Sequence, residues 1–393
     1  MLPVPRWLAY YLALVPVFPP LYLAGFYGLR FFRNLKPAVR NALILFVGLE
    51  LLAALLTPRP LLSLPLALLR GLFVLGLIGV GVWLGRSERL GPLLYGYLAV
   101  YLVALFTSGI TLGERLFHWA RLVHPYYTTV SLGLSAALGL LLAVGVPGLP
   151  RGVRILGGLL ALVVLLFAGS RGALLALFVG AMAAAIFGGA RFLRAVGVGG
   201  VALGIALLLA ESERKVGAIT RLLNLKNLSG RDKVWEGAVE AFRAHPLGGS
   251  GPYQLGPYLD HLYRAGCHLW VGAERLGLKC PAWLEPFAGA WLIAHNVLLH
   301  ALGETGVIGT LGWAVLYLLS GYAVLRAREP LVAAIFFGFM AMGLVDNPTL
   351  VPSLSLAEVF WVAVGIALVR SGLAVAPEQA LPRKVDQARL EAP

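Results

Sequence analysis

Apolar residues in this chain form long runs rather than the periodic stripes of amphipathic helices. A run of roughly 20 apolar residues can cross the hydrocarbon core of a bilayer. Eleven runs reach or approach that length, which predicts an all-α polytopic membrane protein. Twelve helices are also compatible with the sequence, because Pro19 and Pro20 could split the first run into a hairpin and because Arg70 interrupts the third run. The runs cover residues 7–29, 41–57, 61–85, 91–108, 126–146, 155–169, 172–189, 195–210, 296–325, 330–346 and 356–370.

Composition supports the same fold class. Of the 393 residues, 59% are hydrophobic and 13% are charged, which is too few charges to surround a soluble core of this size. The net charge of +14 would suggest nucleic acid binding in a soluble protein. Here the basic residues lie in short loops between apolar runs, so we expect them to set the topology and expect no nucleic acid partner. The first run lacks the features of a cleavable signal peptide and is expected to remain as a membrane span.

The alternating loops differ sharply in basic residues, which predicts their sidedness. One set of loops holds sixteen lysines and arginines and is expected to be cytoplasmic, whereas the short segments of the opposite set hold five. The sixteen are Arg30, Arg33, Lys36, Arg40, Arg86, Arg89, Arg151, Arg154, Arg191, Arg194, Arg326, Arg328, Arg370, Arg383, Lys384 and Arg389. The five are Arg6, Arg59, Arg115, Arg121 and Arg171.

This topology predicts four parts. Residues 1–210 contain the first eight membrane helices, 211–290 form a periplasmic loop domain, 291–370 contain the last three helices, and 371–393 form a cytoplasmic tail. Such a protein belongs in the inner membrane of a bacterium. Within the loop domain, one helical face combines Val234, Ala238, Ala241 and Phe242. The lack of a cytoplasmic nucleotide-binding domain argues against an ATP-driven pump and leaves channels, secondary transporters and membrane enzymes.

Both cysteines, Cys267 and Cys280, lie in this loop. In an oxidising compartment they could form a disulfide. Two free thiols and a zinc site that uses His261 or His268 are the alternatives, although the spacing matches no common zinc pattern.

Three polar motifs could carry chemistry. The first, Phe167-Ala-Gly-Ser-Arg-Gly-Ala173, places Arg171 between two apolar runs on the outer side. A charge there is costly unless it is paired or hydrated. Arg171 is either an interfacial residue whose side chain extends to water or an anion-binding residue of an outer cavity. In the second case, Gly169 and Gly172 would let a ligand or another helix approach closely.

The second motif joins Ser229-Gly-Arg-Asp-Lys-Val-Trp235 to Ala244-His-Pro-Leu-Gly-Gly-Ser-Gly-Pro-Tyr253. The glycine-rich part favours turns, and its amides could contact an oxyanion, although such a stretch is more often only a loop.

The third motif, Ala294-His-Asn-Val-Leu-Leu-His-Ala-Leu-Gly-Glu-Thr-Gly306, begins a long apolar helix. Asn296, His300 and Glu304 share one stripe, whereas His295 falls on another, so the two histidines are expected to face different ways. A histidine at this position is normally a hydrogen-bonded residue of the membrane interface. An ionisable group inside the membrane, however, favours a functional role. The glycines that follow suggest a surface for close helix packing; they are Gly303, Gly306, Gly309 and Gly312.

In order and spacing, these three motifs resemble the O-antigen ligase and Wzy polymerase superfamily. The resemblance covers mainly residues 165–325. It implies a helical membrane fold of the GT-C type and transfer of a glycan from undecaprenyl diphosphate, in the outer leaflet, to an acceptor hydroxyl without a metal ion. It also implies that Arg171 and Arg231 hold the diphosphate and that His295 serves the acceptor. The expected substrate-binding residues around them are Ser170, Gly172, Trp235, His245, Gly249, Gly251, Asn296, His300 and Glu304.

The chemistry is consistent with that expectation. Guanidinium groups can neutralise a diphosphate leaving group where other enzymes use a divalent cation, so we expect no cofactor and no metal. Asp232 and Asp260 are isolated, and the outer loop contains no carboxylate cluster suited to Mg²⁺. A neutral imidazole is a suitable base for the acceptor hydroxyl. The acceptor could be lipid A core, a second lipid-linked repeat unit or a protein. A lipid or anion transporter is the alternative from another class, although the chain shows no repeated half.

Overall fold

The computed structural model describes residues 6–112, 121–194, 231–256, 258–259, 292–350 and 356–375, with a few positions between 196 and 204. Helices account for most of these residues. The helices are α1 Arg6–Leu14, a 3-10 segment Pro19–Asn34, α2 Pro37–Leu55, α3 Pro60–Leu84, a short 3-10 turn Ser87–Leu90, α4 Pro92–Leu112, α5 Thr129–Gly145, α6 Arg151–Ala168, α7 Arg171–Ile186, α8 Arg231–Ala244, α9 Val297–Ala327, α10 Pro330–Gly343 and α11 Ala357–Arg370.

The all-α membrane fold is confirmed. Ten of the eleven apolar runs coincide with helices, while the run 195–210 lies mostly outside the described residues. Five helices in the described part are long and apolar enough to cross a membrane. The only extended pairing among the residues that the structure describes is an isolated bridge between Leu35 and Ala374.

The first apolar run forms a helical hairpin. The ring of Trp7, in α1, lies 5.1 Å from the ring of Tyr27 and 4.9 Å from that of Trp83, near the end of α3. The chain therefore reverses direction between Leu14 and Pro19, as the two prolines allowed. This corrects the position of Arg6, which begins α1 at the same end of the bundle as residues 30–40 rather than opposite to them.

Among the residues that the structure describes, loops meet at two ends of the helix bundle, and the hydrogen bonds at each end join loops of one predicted set. At one end, called the basic end, the amide of Lys36 donates to the carbonyl of Leu373, and the hydroxyl of Ser87 donates to Glu329. At the other end, called the site end, the side-chain amide of Asn296 donates to the carbonyl of Leu344. The alternation of loops is therefore consistent with the charge pattern.

Glycines allow the membrane helices to approach backbone to backbone. A Cβ atom added to Gly81 of α3 would overlap the carbonyl oxygen of Val362 in α11, and one added to Gly180 of α7 would overlap that of Ala334 in α10. In lipid, where apolar side chains gain little from leaving their surroundings, such close packing is a main source of helix association. These contacts bring α7 and α10, which carry site residues at their ends, firmly together.

Candidate functional site

Helix α9 is broken near the site end, and a neighbouring loop repairs the break. Gly306 has a φ of 58°, which a side chain would disfavour, and its conformation interrupts the helical hydrogen bonds on both sides. Residues 245–254, here called the docking loop, supply the missing partners. The amides of Val307 and Ile308 donate to the carbonyls of Pro246 and Leu247. In return, the docking-loop amides at positions 250 and 251 donate to the carbonyls at positions 303 and 304.

The exchange satisfies groups that would otherwise be buried without partners, a condition that membrane interiors penalise heavily. It also changes our interpretation of the glycine-rich stretch. The amides of Gly249, Ser250, Gly251 and Tyr253 all donate within the protein, to His245, Gly303 and Glu304. The structure therefore favours the loop interpretation of this motif over the oxyanion-binding one.

A charged cluster lies beneath the docking loop, inside the bundle. The two terminal nitrogens of Arg70 each lie 2.6 Å from a carboxylate oxygen, one of Glu50 and one of Glu304. The other oxygen of Glu304 accepts a hydrogen bond from the amide of Tyr253 at 2.8 Å and lies 3.2 Å from Nε2 of His300. All of these charged groups are almost fully buried.

This cluster gives His300 and Glu304 structural partners. Nδ1 of His300 accepts a hydrogen bond from the amide of Ala294. Its Nε2 therefore carries the hydrogen and donates it in a hydrogen bond to Glu304. Sequence reasoning noted Arg70 only as an interruption and missed Glu50. The available signal was the presence of charges of opposite sign in two neighbouring apolar runs, since ionisable groups in membranes are usually paired.

His295 faces a different carboxylate. Its Nδ1 lies 3.2 Å from Oδ1 of Asp346, which follows α10, and 26% of the His295 side chain is exposed. Oδ1 of Asp346 also accepts the amide of Asn347 at 2.7 Å. A carboxylate on Nδ1 fixes the tautomer and leaves the basic lone pair on Nε2. The two histidines therefore occupy separate environments, as the stripe pattern predicted.

Asp346 was missed from the sequence. Its sequence context was only a weak indication of a functional role, because a single acidic residue after an apolar run normally marks the end of a helix. The segment after α10 is tied to the start of α9 by a second bond, since Asn296 caps α9 through Leu299 and donates to the carbonyl of Leu344. This double attachment holds His295 in a left-handed backbone conformation, with a φ of 49°.

Arg171 lies at the first position of α7, and the residue after it packs against the same segment. Ser170 caps this helix by accepting the amide of Ala173, so its hydroxyl has a structural role as well as its predicted one. A Cβ atom added to Gly172 would lie 3.2 Å from the side chain of Val345, next to Asp346. Arg171 itself is half-buried. The segment after α10 thus contacts the start of α7 through Val345 and the entrance of α9 through Leu344 and Asp346.

Arg231 begins α8, which packs on the first half of α9. The buried face of α8 includes Val234, Ala238 and Ala241, as predicted, while Phe242 is only half-buried. The indole nitrogen of Trp235 donates to the carbonyl of His295 at 3.4 Å. Helix α8 therefore brings the second motif to the entrance of α9, where Trp235 contacts the backbone of His295.

A loop before α5 completes the site end. Nε of Arg121 donates to the carbonyl of Ala168, two residues before Ser170. Nδ1 of His124 accepts the amides of Tyr126 and Tyr127, both at 3.1 Å. Burial lowers the pKa of His124 to about 4, so this imidazole is neutral at physiological pH.

Three motifs that are distant in sequence therefore converge around the segment 344–347. The predicted residues Arg171, His295 and Trp235 lie beside it or one contact away. Cys267 and Cys280, together with His261 and His268, lie outside the described residues. Among the residues that the structure does describe, no group of three or more His, Cys, Asp or Glu side chains is arranged to hold a metal ion.

Comparison with known families gives one match. Residues 156–314 match the model of the family described as O-antigen ligase, whereas none of the curated proteins is a significant match to the chain. The matched span contains α7, α8, the docking loop and the first half of α9, and so includes Arg171, Arg231 and His295. The chain is therefore a polytopic membrane protein in which residues 156–314 are similar to the O-antigen ligase family, and this match confirms the resemblance to the O-antigen ligase and Wzy polymerase superfamily.

Proposed function

We propose that this protein transfers a glycan from undecaprenyl diphosphate to an acceptor hydroxyl, at the site end of the bundle, on the periplasmic face of the inner membrane. The family match supports a function of the ligase or polymerase kind. The observation that carries the specific mechanism is the pairing of His295 with Asp346 at 3.2 Å. It gives a partly exposed imidazole the orientation that a general base requires.

In this mechanism, Nε2 of His295 accepts the proton of the acceptor hydroxyl while that oxygen attacks the anomeric carbon of the donor sugar. The bond between the anomeric carbon and the phosphate oxygen breaks, and undecaprenyl diphosphate leaves with the bonding electrons. Asp346 stabilises the imidazolium that forms, without itself taking the proton. The new bond joins the sugar to the acceptor oxygen, so no other reactant is consumed.

Arg171 and Arg231 are assigned to the diphosphate. Negative charge grows on the leaving oxygen as the sugar is transferred, and fixed guanidinium groups stabilise it without the reorganisation that water would need. Arg171 also begins α7, whose N-terminal amides favour an anion in the same place. Arg231 begins α8, which contacts the entrance of α9 through Trp235.

The acceptor decides between the ligase and polymerase reactions. We favour the ligase reaction, with lipid A core or a similar glycan as acceptor, because the single outer loop of about 80 residues and the compact chain suit it. Transfer to a second lipid-linked repeat unit is the alternative, and transfer to a protein hydroxyl is a third.

The test is reconstitution. Purified protein is incubated in EDTA with undecaprenyl diphosphate-linked glycan and, separately, with lipid A core, a second lipid-linked repeat unit or a peptide acceptor. Release of undecaprenyl diphosphate together with one glycosylated acceptor supports the proposal and identifies the reaction. Movement of the intact lipid-linked glycan across the bilayer without release of the diphosphate would instead indicate a transporter. Activity that appears only when Mg²⁺ or Mn²⁺ is returned would contradict the assignment of the arginines.

A further inference from the structure

Arg70 has no direct contact with the proposed reacting groups, yet it lies at the centre of the largest charge network in the described part of the chain. It is 1% exposed and lies between Glu50 of α2 and Glu304 of α9, with both nitrogen to oxygen distances at 2.6 Å. Three charges inside a membrane bundle are energetically costly even when they are paired. Such a network is more than ordinary helix packing requires, because apolar side chains would pack the same helices at lower cost.

The two carboxylates differ in what else they hold. Glu50 has Arg70 as its hydrogen-bonded partner, and neither of its oxygens is hydrogen-bonded to the described residues of the docking loop. Glu304 uses one oxygen for Arg70 and the other for the amide of Tyr253 and for His300. The Arg70 guanidinium also lies 5.5 Å from the centroid of the Tyr253 ring. Arg70 is therefore connected to the docking loop through Glu304 and through Tyr253, but not through Glu50.

The docking loop in turn determines where α8 lies. It follows α8 directly in the chain, and its backbone is joined to the broken part of α9 by reciprocal hydrogen bonds. A further bond from Gln254 to Ser63 ties the loop to the start of α3. Helix α8 carries Arg231 and contacts His295 through Trp235. A shift of the loop would therefore change the distance between the proposed phosphate-binding arginine and the proposed base.

We propose that Arg70 is a positioning residue for glycan transfer, which acts through Glu304 to hold the docking loop and thereby to fix α8 relative to His295. Its effect on transfer rests on the proposed function. Its hold on the loop does not, and can be measured in the absence of any substrate. The competing explanation is that the network stabilises the whole bundle without a particular action on the loop.

Glu304→Gln and Glu50→Gln form a matched pair that separates these explanations. Each substitution keeps the size of the side chain and removes one negative charge at 2.6 Å from the same guanidinium. A glutamine at position 304 has one oxygen with which to accept three donors, so at least one link to Arg70, Tyr253 or His300 is lost. A glutamine at position 50 leaves every link to the loop in place.

The experiment is hydrogen exchange on the detergent-solubilised full chain, followed in peptides that cover residues 245–256, with peptides from α5 and α6 as the internal reference. Loss of one hydrogen bond to a buried charge corresponds to roughly a tenfold to hundredfold faster exchange. We expect that acceleration in the loop of Glu304→Gln and of Arg70→Met, with the reference peptides unchanged. In Glu50→Gln we expect the loop to exchange within about threefold of the wild type.

Two outcomes overturn the proposal. One is equal acceleration of the loop in Glu50→Gln and Glu304→Gln, and the other is acceleration in the loop and in the reference peptides together, since both indicate a general loss of stability. Arg70→Lys replaces Arg70→Met in the experiment if the methionine variant does not fold. Lysine keeps the charge but lacks the fork that reaches two carboxylates, so the loop should exchange at a rate between those of the wild type and Glu304→Gln.

Transfer is then measured on the same proteins at saturating donor. Slower transfer in Glu304→Gln than in Glu50→Gln supports the positioning role, and equal rates in spite of an opened loop would overturn it. If even the wild type transfers no glycan, the proposed function fails, while the exchange result still decides whether Arg70 holds the loop.

Discussion

The carboxylate of Asp346 lies 3.2 Å from Nδ1 of His295, although 51 residues separate them in the chain. The pair joins the end of α10 to the start of α9. It leaves the other ring nitrogen of His295 as the basic one, at a partly exposed position. A different histidine, His300, is buried about one helical turn further on, where its Nε2 lies 3.2 Å from a carboxylate oxygen of Glu304.

His295→Ala should slow transfer by roughly 10² to 10⁴, the range for loss of a general base. Asp346→Asn should also be strongly impaired, because an amide can hold the imidazole in the wrong tautomer and cannot stabilise its positive charge. The measurement is the rate of glycan transfer at saturating donor and acceptor. Binding of the donor should change little, since the arginines are assigned to it.

The pH profile provides the control. With the wild type, transfer should rise with pH, because only a neutral imidazole can accept the proton of the acceptor hydroxyl. This rise should disappear in His295→Ala. His300→Asn should lower the amount of folded protein but keep the rise in the material that folds. A rate that instead falls with increasing pH, or a fully active His295→Ala beside an inactive folded His300→Asn, would show that the base is assigned to the wrong residue.

Arg171→Ala and Arg231→Ala should each reduce transfer on the order of a hundredfold to a thousandfold, because each removes a fixed donor to the diphosphate. Lysine at either position should restore only part of the rate, since it lacks the planar fork. Circular dichroism and the elution volume should match those of the wild type. Near-normal turnover of the alanine variants at saturating donor would place the diphosphate elsewhere.

The topology predicts that the tail after Arg370 is cytoplasmic and that the loop domain 211–290 is periplasmic. This prediction rests on the unequal distribution of basic residues between the two ends of the bundle. The difference becomes larger because the hairpin that follows α1 places Arg6 at the basic end. A reporter that is active only after export should be inactive when it is fused at Arg383. It should be active when it is inserted in the loop domain, and the reverse result would invert the topology.

His124 should make the protein less stable in mild acid. Because burial lowers its pKa to about 4 in the folded state, the unfolded chain binds this proton more readily than the folded one. The contribution of His124 to stability is therefore complete above pH 6.5 and declines as the pH falls toward 4. The measurement is thermal melting between pH 4 and 7.5. In His124→Asn the decline should be smaller, and an identical decline would assign it to other groups.

The membrane fold could be predicted from the sequence alone, because long apolar runs are accommodated only in a bilayer and need no tertiary contact to be recognised. The sequence also singled out Arg171 and His295 as candidates, since polar residues at the ends of such runs stand out against an apolar background, whereas Arg231 was chosen from its motif in the outer loop. The prolines marked the hairpin of the first run without proving it. All of these signals are local in the chain.

The hydrogen-bonded partners of the site residues could not be predicted without the folded structure. Asp346 and Glu50 are single acids whose role depends on which helix lies opposite, and nothing within one helix specifies that. The glycines after His300 suggested one continuous packing surface, yet Gly306 instead breaks α9. The break is stable because the docking loop, some 60 residues earlier in the chain, supplies both donors and acceptors to the interrupted helix. Hydrogen bonds between distant segments satisfy the buried backbone here, and periodicity along the chain carries no information about them.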